Sequence, residues 1–134
     1  MIRAFVILVD TSVWIDLFNG KLANDVTEDE LLNFVTCGPV VQEVVQGLSD
    51  DFEGEALRDA FLALPVLSDP LSLSLFLEAA RLYQEGRGKG YTIRSSTDCL
   101  IAAIAIENKV PVWHHDRDFE ALSKFTSLRV YHRI

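Results

Sequence analysis

The chain has 134 residues, 49% of them hydrophobic and 24% charged, with a formal net charge of −8. That length suits a single domain over residues 1–134 built on one core, and the composition excludes a disordered chain. The negative balance argues against a nonspecific nucleic-acid binder, which carries a basic face; it fits an acidic metal site or a basic partner.

Met1-Ile2-Arg3 leads into a short apolar run, Ala4 to Val9, without a small-residue cleavage site, so it reads as a strand and not a signal peptide. No stretch approaches the ~20 apolar residues that span a bilayer. Cys37 and Cys99 are too few and too far apart for a disulfide framework or a zinc site, and read as free thiols in a reducing cytoplasm.

Phe5 to Val9 is wholly apolar and β-branched, as in a strand covered on both faces. Asp10 follows, then Thr11 or Ser12 as the cap of a helix over Val13 to Phe18 that stops near Gly20. Thr27-Glu28-Asp29-Glu30 is a capping box opening a helix predicted over Thr27 to Phe34. Phe34 to Cys37 reads as extended. Pro39 opens a helix with Val40, Val41, Val44, Val45 and Leu48 as its apolar stripe. Glu53 to Leu64 and Leu73 to Glu85 are amphipathic helices separated by turns at Pro65 and Pro70. Gly86, Gly88 and Gly90 are expected to break the chain. Asp98 to Asn108 is a helix, Pro111 to His114 a strand, Phe119 to Phe125 a helix and Leu128 to Tyr131 a last strand. Short apolar strands alternating with helices predict an α/β fold with a parallel sheet flanked by helices.

Ligands in open parallel sheets bind beyond the carboxyl ends of the strands. Asp10 ends one strand and Asp116 follows another, so the two can meet although far apart in sequence. Each also has a local reading as a turn or capping residue. Asp98 stands at the start of an apolar, buried helix where Ser95, Ser96 and Thr97 already offer caps. Glu43 flanks the valine stripe one turn before Gly47, which is expected to leave a cleft open. Four gathered carboxylates repel, by about 4 kcal/mol per pair at ~4 Å and an effective dielectric near 20, unless a cation lies among them. Oxygen ligands favour hard cations such as Mg²⁺ or Mn²⁺.

"LVDTSVWID", "VVQEVVQG" and "TDCLIAAIAIENKVPVWHHDRDFEAL" together resemble the PIN-domain ribonucleases, and among them the VapC-like toxins of toxin–antitoxin pairs. The resemblance covers nearly the whole chain, with the motifs in family order; the middle, Asp50 to Gly90, adds little beyond helices. It implies a three-layer PIN-like fold with a short, mostly parallel central sheet, and metal-dependent hydrolysis of RNA phosphodiester bonds. The family's acids fall on Asp10, Glu43, Asp98 and Asp116, with Asp118 as a further or alternate ligand. The hydroxyl that positions metal or water falls on Thr11 or Ser12, with Ser12 preferred because one of the two must cap the helix. The pair His114-His115 departs from the family's usual small or hydroxyl residue. Adjacent histidines at a strand end are expected to alternate, one packed and one wet.

The resemblance also implies a VapB-like antitoxin, a homodimer and a transfer-RNA or ribosomal-RNA substrate. Arg81, Arg87, Lys89 and Arg94, around "EGRGKGYTIR", are the candidate RNA contacts. Trp14 and Trp113 read as core or dimer contacts, Trp14 lying in a suitable apolar patch for the latter. Two other readings compete: a receiver-like phosphotransfer domain, which wants a second acid beside Asp10, and a catalytically silent PIN-fold binding module.

Overall fold

A computed structural model describes residues 5–20 and 26–133. Met1 to Ala4, and with them the start of the first apolar run, lie outside the described residues.

Four short strands form a parallel sheet: β1 (Ile7–Val9), β2 (Phe34–Cys37), β3 (Val66–Leu67) and β4 (Val112–Trp113), in the order β3-β2-β1-β4. Leu8 pairs with Val35 on one side and Val112 on the other. Consecutive residues of β1 point to opposite faces, yet all three are buried, so the sheet is covered on both sides.

The cover comes from seven helices among the described residues: α1 (Thr11–Phe18), α2 (Glu28–Leu31), α3 (Gly38–Gln46), α4 (Phe52–Leu62), α5 (Leu73–Gly88), α6 (Ser96–Asn108) and α7 (Arg117–Phe125). The middle of α6, Ile101 to Ala105, is buried on every side, and α5 packs along it. An aromatic group ties the layers. Trp14 meets Phe34 and Phe61 edge-on, with centroids 5.9 and 5.2 Å apart, and Phe34 meets Trp113 at 5.7 Å. Trp14 is therefore core, and cannot supply the dimer face considered for it.

Several sequence expectations shift. The capping box forms: Thr27 Oγ1 accepts from Glu30 N, and Glu30 accepts from Thr27 N. The helix it opens ends at Leu31, because Phe34 is drawn into β2 beside β1. β3 has no counterpart in the sequence reading; two residues between prolines carry no readable period. Leu128 to Tyr131 makes one bridge, Val130 to Val112. Gly86 and Gly88 do not break the chain, since α5 runs through both. Gly86 is there for closeness, as a Cβ would lie 3.0 Å from the Phe125 ring. Gly90, at φ +85°, makes the turn that only glycine adopts freely.

Candidate active site

The parallel sheet brings the carboxyl ends of its strands to one edge. β1 ends at Asp10, and the Asp10 N–H donates to Trp113 O at 2.9 Å, holding it at the end of β4. Three residues beyond Trp113 stands Asp116, the N-cap of α7, which accepts from Asp118 N at 2.9 Å. Asp98 enters from the first turn of α6, whose N-cap is Ser95.

Asp98, Asp116 and Asp118 each offer one carboxylate oxygen within 4.8 Å of the others. Asp118 is buried, and its charge is met by the N–H groups of Arg94 (3.0 and 3.1 Å) and Ser95 (2.9 Å). Asp98 is buried too, but Asp98 Oδ2 has no hydrogen-bond donor. Its near neighbours are the acceptor oxygens of Asp116 and Asp118. Burial first, then the charges of Asp116 and Asp10, push the Asp98 carboxyl up to about 9. A carboxylate in that position lacks a counter-charge, which a hard cation supplies. The donor set therefore fits a divalent ion.

Asp10 and Glu43 lie outside the tight triad but are tied to it. Asp10 is buried, and burial raises its carboxyl above the ordinary range, the Asp116 charge adding to this against the hydrogen bonds of Ser12. Asp10 is itself the N-cap of α1, so neither hydroxyl is needed as the cap, against the expectation. Both hydroxyls are put to other use. Ser12 Oγ donates to Asp10 Oδ2 at 2.6 Å and accepts from His115 N at 3.0 Å, stitching β1 to the β4 end. Thr11 Oγ1 donates to Glu43 Oε1 at 3.0 Å. The Cys37 thiol, pushed up to about 12 chiefly by burial, feels the charges of both Asp10 and Glu43. Glu43 lines a cavity of about 560 Å³ with Gly38, Pro39, Gln42, Leu71 and Thr97. Gly47 is not what opens it: that glycine is the C-cap of α3, and a Cβ there would make ordinary contacts with backbone.

The two histidines separate as strand alternation predicts. The His114 side chain is packed, its ring 5.2 Å from Phe119, and Nδ1 accepts from Asp116 N at 3.0 Å. Burial holds its imidazole below the usual range. His115 is exposed and pairs with Asp16, Nδ1 to Oδ2, at 2.6 Å. The role of His114 in fixing the Asp116 backbone goes beyond the sequence reading, although the doubled histidine before an acid is a signal.

The basic residues fare unevenly. Arg81 is paired along α5 with Glu78 and Glu85. Arg87 lies over the Tyr83 ring, 5.7 Å from its centroid. Lys89 is the C-cap of α5, and Arg94 sits where its backbone holds Asp118. Arg117, between two site acids, is a basic residue that the sequence reading passes over; its place between Asp116 and Asp118 is the signal that could have found it.

The PIN domain family model matches residues 7–124. The chain is 33% identical over 129 residues to the VapC ribonuclease Mb1587 of Mycobacterium bovis, covering 92% of this chain and 96% of the relative. This chain is a PIN-domain protein of the VapC family. Among solved structures, the PIN-domain fold described above is similar to the DNA-bound VapBC of Salmonella typhimurium, with TM-score 0.73, 15% identity and coverage of 95% and 97% of the two chains. VapBC-5 of Mycobacterium tuberculosis is similar at TM-score 0.62 and 26% identity, covering 96% and 98%. The α/β sheet flanked by helices is thus the PIN-like fold expected from the motifs.

Proposed function

We propose that this PIN-domain protein is a divalent-metal-dependent endoribonuclease, the toxin of a toxin–antitoxin pair, acting as one nuclease domain over residues 1–134. The observation that carries the reading is Asp98 Oδ2: a buried carboxylate oxygen without a donor, facing Asp116 and Asp118. The ribonuclease name of a relative one-third identical over nearly the full chain supports the same activity.

Asp98, Asp116 and Asp118 would hold Mg²⁺ or Mn²⁺, with Asp10 and Glu43 alongside. Bound there, the ion supplies Lewis acidity toward a phosphoryl oxygen and acidifies a bound water. The remaining work falls to the chain. Ser12 holds Asp10 in place, and the backbone of Arg94 and Ser95 holds Asp118. Thr11 orients Glu43 through one oxygen, and the other is left to take a proton from the attacking water. RNA contacts are assigned to Arg87, Lys89 and Arg94, and to Arg81 only if it leaves its glutamates.

The similarity to the VapBC complex of Salmonella supports a VapB-like antitoxin as partner, and a net charge of −8 suits a basic antitoxin segment. A homodimer would use a face other than Trp14. Among the described residues no helix is long and apolar enough to cross a membrane; the cytoplasm is the proposed place of action because a toxin of this kind meets its RNA there.

The test is cleavage of a transfer-RNA and ribosomal-RNA panel with Mg²⁺, with Mn²⁺ and with EDTA, for wild type and Asp98→Asn. Cleavage that requires the divalent ion and falls ~100-fold or more in the variant is expected. Binding of RNA without cleavage under every condition would leave the silent binding module. The receiver-like alternative predicts phosphorylation by acetyl phosphate, but the residues beside Asp10 are hydroxyls that serve Asp10 and Glu43.

A further inference from the structure

Three carboxylates with Asp10 beside them repel an RNA backbone, which carries a charge at every phosphate. Twenty acids against twelve lysines and arginines leave little help elsewhere in the chain. Most described arginines are already engaged: Arg81 with Glu78 and Glu85, Arg133 with Glu30 and the Trp113 ring, Arg129 with Lys109 O, and Arg87 with the Tyr83 ring.

Arg94 and Arg117 differ. Both are exposed, and among the described residues neither side chain has a hydrogen bond, ion pair or ring contact. Both leave the backbone next to Asp118, one through space and one along the chain. The Arg94 N–H donates to both oxygens of Asp118, at 3.1 and 3.0 Å, and Arg117 is the residue between Asp116 and Asp118. Two arginines thus leave the chain next to an acidic cluster, with side chains that are exposed and not paired to it. An exposed guanidinium left unpaired is available to an anion, and its fork of donors matches the oxygens of a phosphate.

We propose that Arg94 and Arg117 form a phosphate clamp at the rim of the acidic site, gripping RNA phosphates that neighbour the bond to be cut. The clamp rests on the nuclease reading and names how that site draws in a substrate of its own sign. Arg94 and Arg117 are positioning residues: they hold the backbone, while the acids face the reacting phosphate.

The experiment measures binding of a labelled single-stranded oligoribonucleotide by fluorescence anisotropy across a salt series. It uses the full chain in the Asp98→Asn background, and KM and kcat are measured in the wild-type background. Arg94→Ala and Arg117→Ala should each weaken binding roughly tenfold at low salt. Each should also flatten the plot of log Kd against log salt by about 0.7. In the cleaving protein KM should rise with kcat nearly held, and Arg117→Lys should recover part of the loss. Arg58→Ala is the charge control: that exposed arginine lies by the α3–α4 cavity with Asp50, Glu55 and Asp59. Thermal unfolding at unchanged Tm shows that the variants are folded.

An unchanged salt slope in both alanine variants overturns the clamp, and so does an equal loss in Arg58→Ala. Displacement of the RNA by polyglutamate of equal charge, as readily as by unlabelled RNA, also overturns it in favour of an acidic peptide. Arginine-dependent binding with no cleavage by wild type would sink the nuclease reading and leave the clamp standing. Cleavage with unaltered KM in both variants would do the reverse.

Discussion

Asp10 serves locally and lies beside the acidic cluster at once. Its carboxylate caps α1 and accepts from Ser12, yet it is buried and close enough to feel Asp116. Thr11 is the neighbour whose role is most easily isolated. Its hydroxyl spans from the start of α1 to Glu43 on α3, and Thr11→Val keeps the shape while removing the donor. A net hydrogen bond of about 0.5–1.5 kcal/mol corresponds to roughly a two- to twelvefold effect. Steady-state cleavage kinetics should therefore show kcat falling by about that factor with KM little changed.

Asp98 permits a prediction with a definite sign. Its carboxyl is raised to about 9 in the folded, metal-free protein and titrates in the ordinary carboxylate range when unfolded. A group raised on folding contributes its stability fully below the unfolded value and loses it as pH rises through the folded one. Between those limits the folded protein must keep a proton or bear a buried charge, so metal-free wild type weakens from about pH 4 toward pH 9. Asp98→Asn removes that burden. In EDTA its Tm should exceed wild type by several degrees at pH 7.5, at about 3–5 °C per kcal/mol for a chain this size. The gap should nearly close at pH 4. A variant no more stable than wild type at any pH would contradict the buried, donorless carboxylate.

At the scale of elements, glycines that look alike in sequence separate by what surrounds them. Gly88 ends α5 with nothing within 4 Å of the place a Cβ would take, whereas at Gly54 a Cβ would fall 1.8 Å from Ser49 O. Gly88→Ala should raise stability by about 0.5–1 kcal/mol, because alanine lowers the entropy of the unfolded chain and favours the helix. Gly54→Ala must push the start of α4 off Ser49 and should cost about 1–3 kcal/mol. Urea denaturation of the two variants checks both signs. The same contrast explains why the glycine run looks like a break in sequence and is not one. Gly86 is packed against Phe125 and Ile93 inside a continuous helix, and no local pattern distinguishes a glycine chosen for closeness from one that ends an element.

Over the whole molecule, the acids meet only because a parallel sheet delivers distant chain ends to one edge. Gathering like charges weakens the metal-free fold, and an ion that binds only the folded state restores it. At a hundredfold excess over Kd that linkage contributes about 2.7 kcal/mol. Differential scanning fluorimetry should show a Tm that climbs with added Mg²⁺ or Mn²⁺ in wild type and stays nearly flat in Asp98→Asn. An equal climb in both would place the bound ion away from Asp98.

Much of this is legible along the chain. The unbroken apolar run before Asp10, the capping box at Thr27 and the apolar helix after Asp98 are local signals, set by side-chain period and capping chemistry, and they predict β1, the start of α2 and α6. The positions of Asp10, Asp98, Asp116 and Asp118 at element boundaries are likewise visible in the motifs. The ends of α2 and α5, the two-residue β3 and the choice between core and dimer face for Trp14 are not, because each is decided by a partner far away in sequence. Nor are the finer assignments: which acids form the tight triad, that Thr11 answers Glu43 while Ser12 answers Asp10, and that Arg117 is left unpaired where Arg81 is not. Residue type and spacing determine which groups can do chemistry; distances between groups tens of residues apart, and the burial that alters their charge, exist only once the sheet and its helices have closed around them.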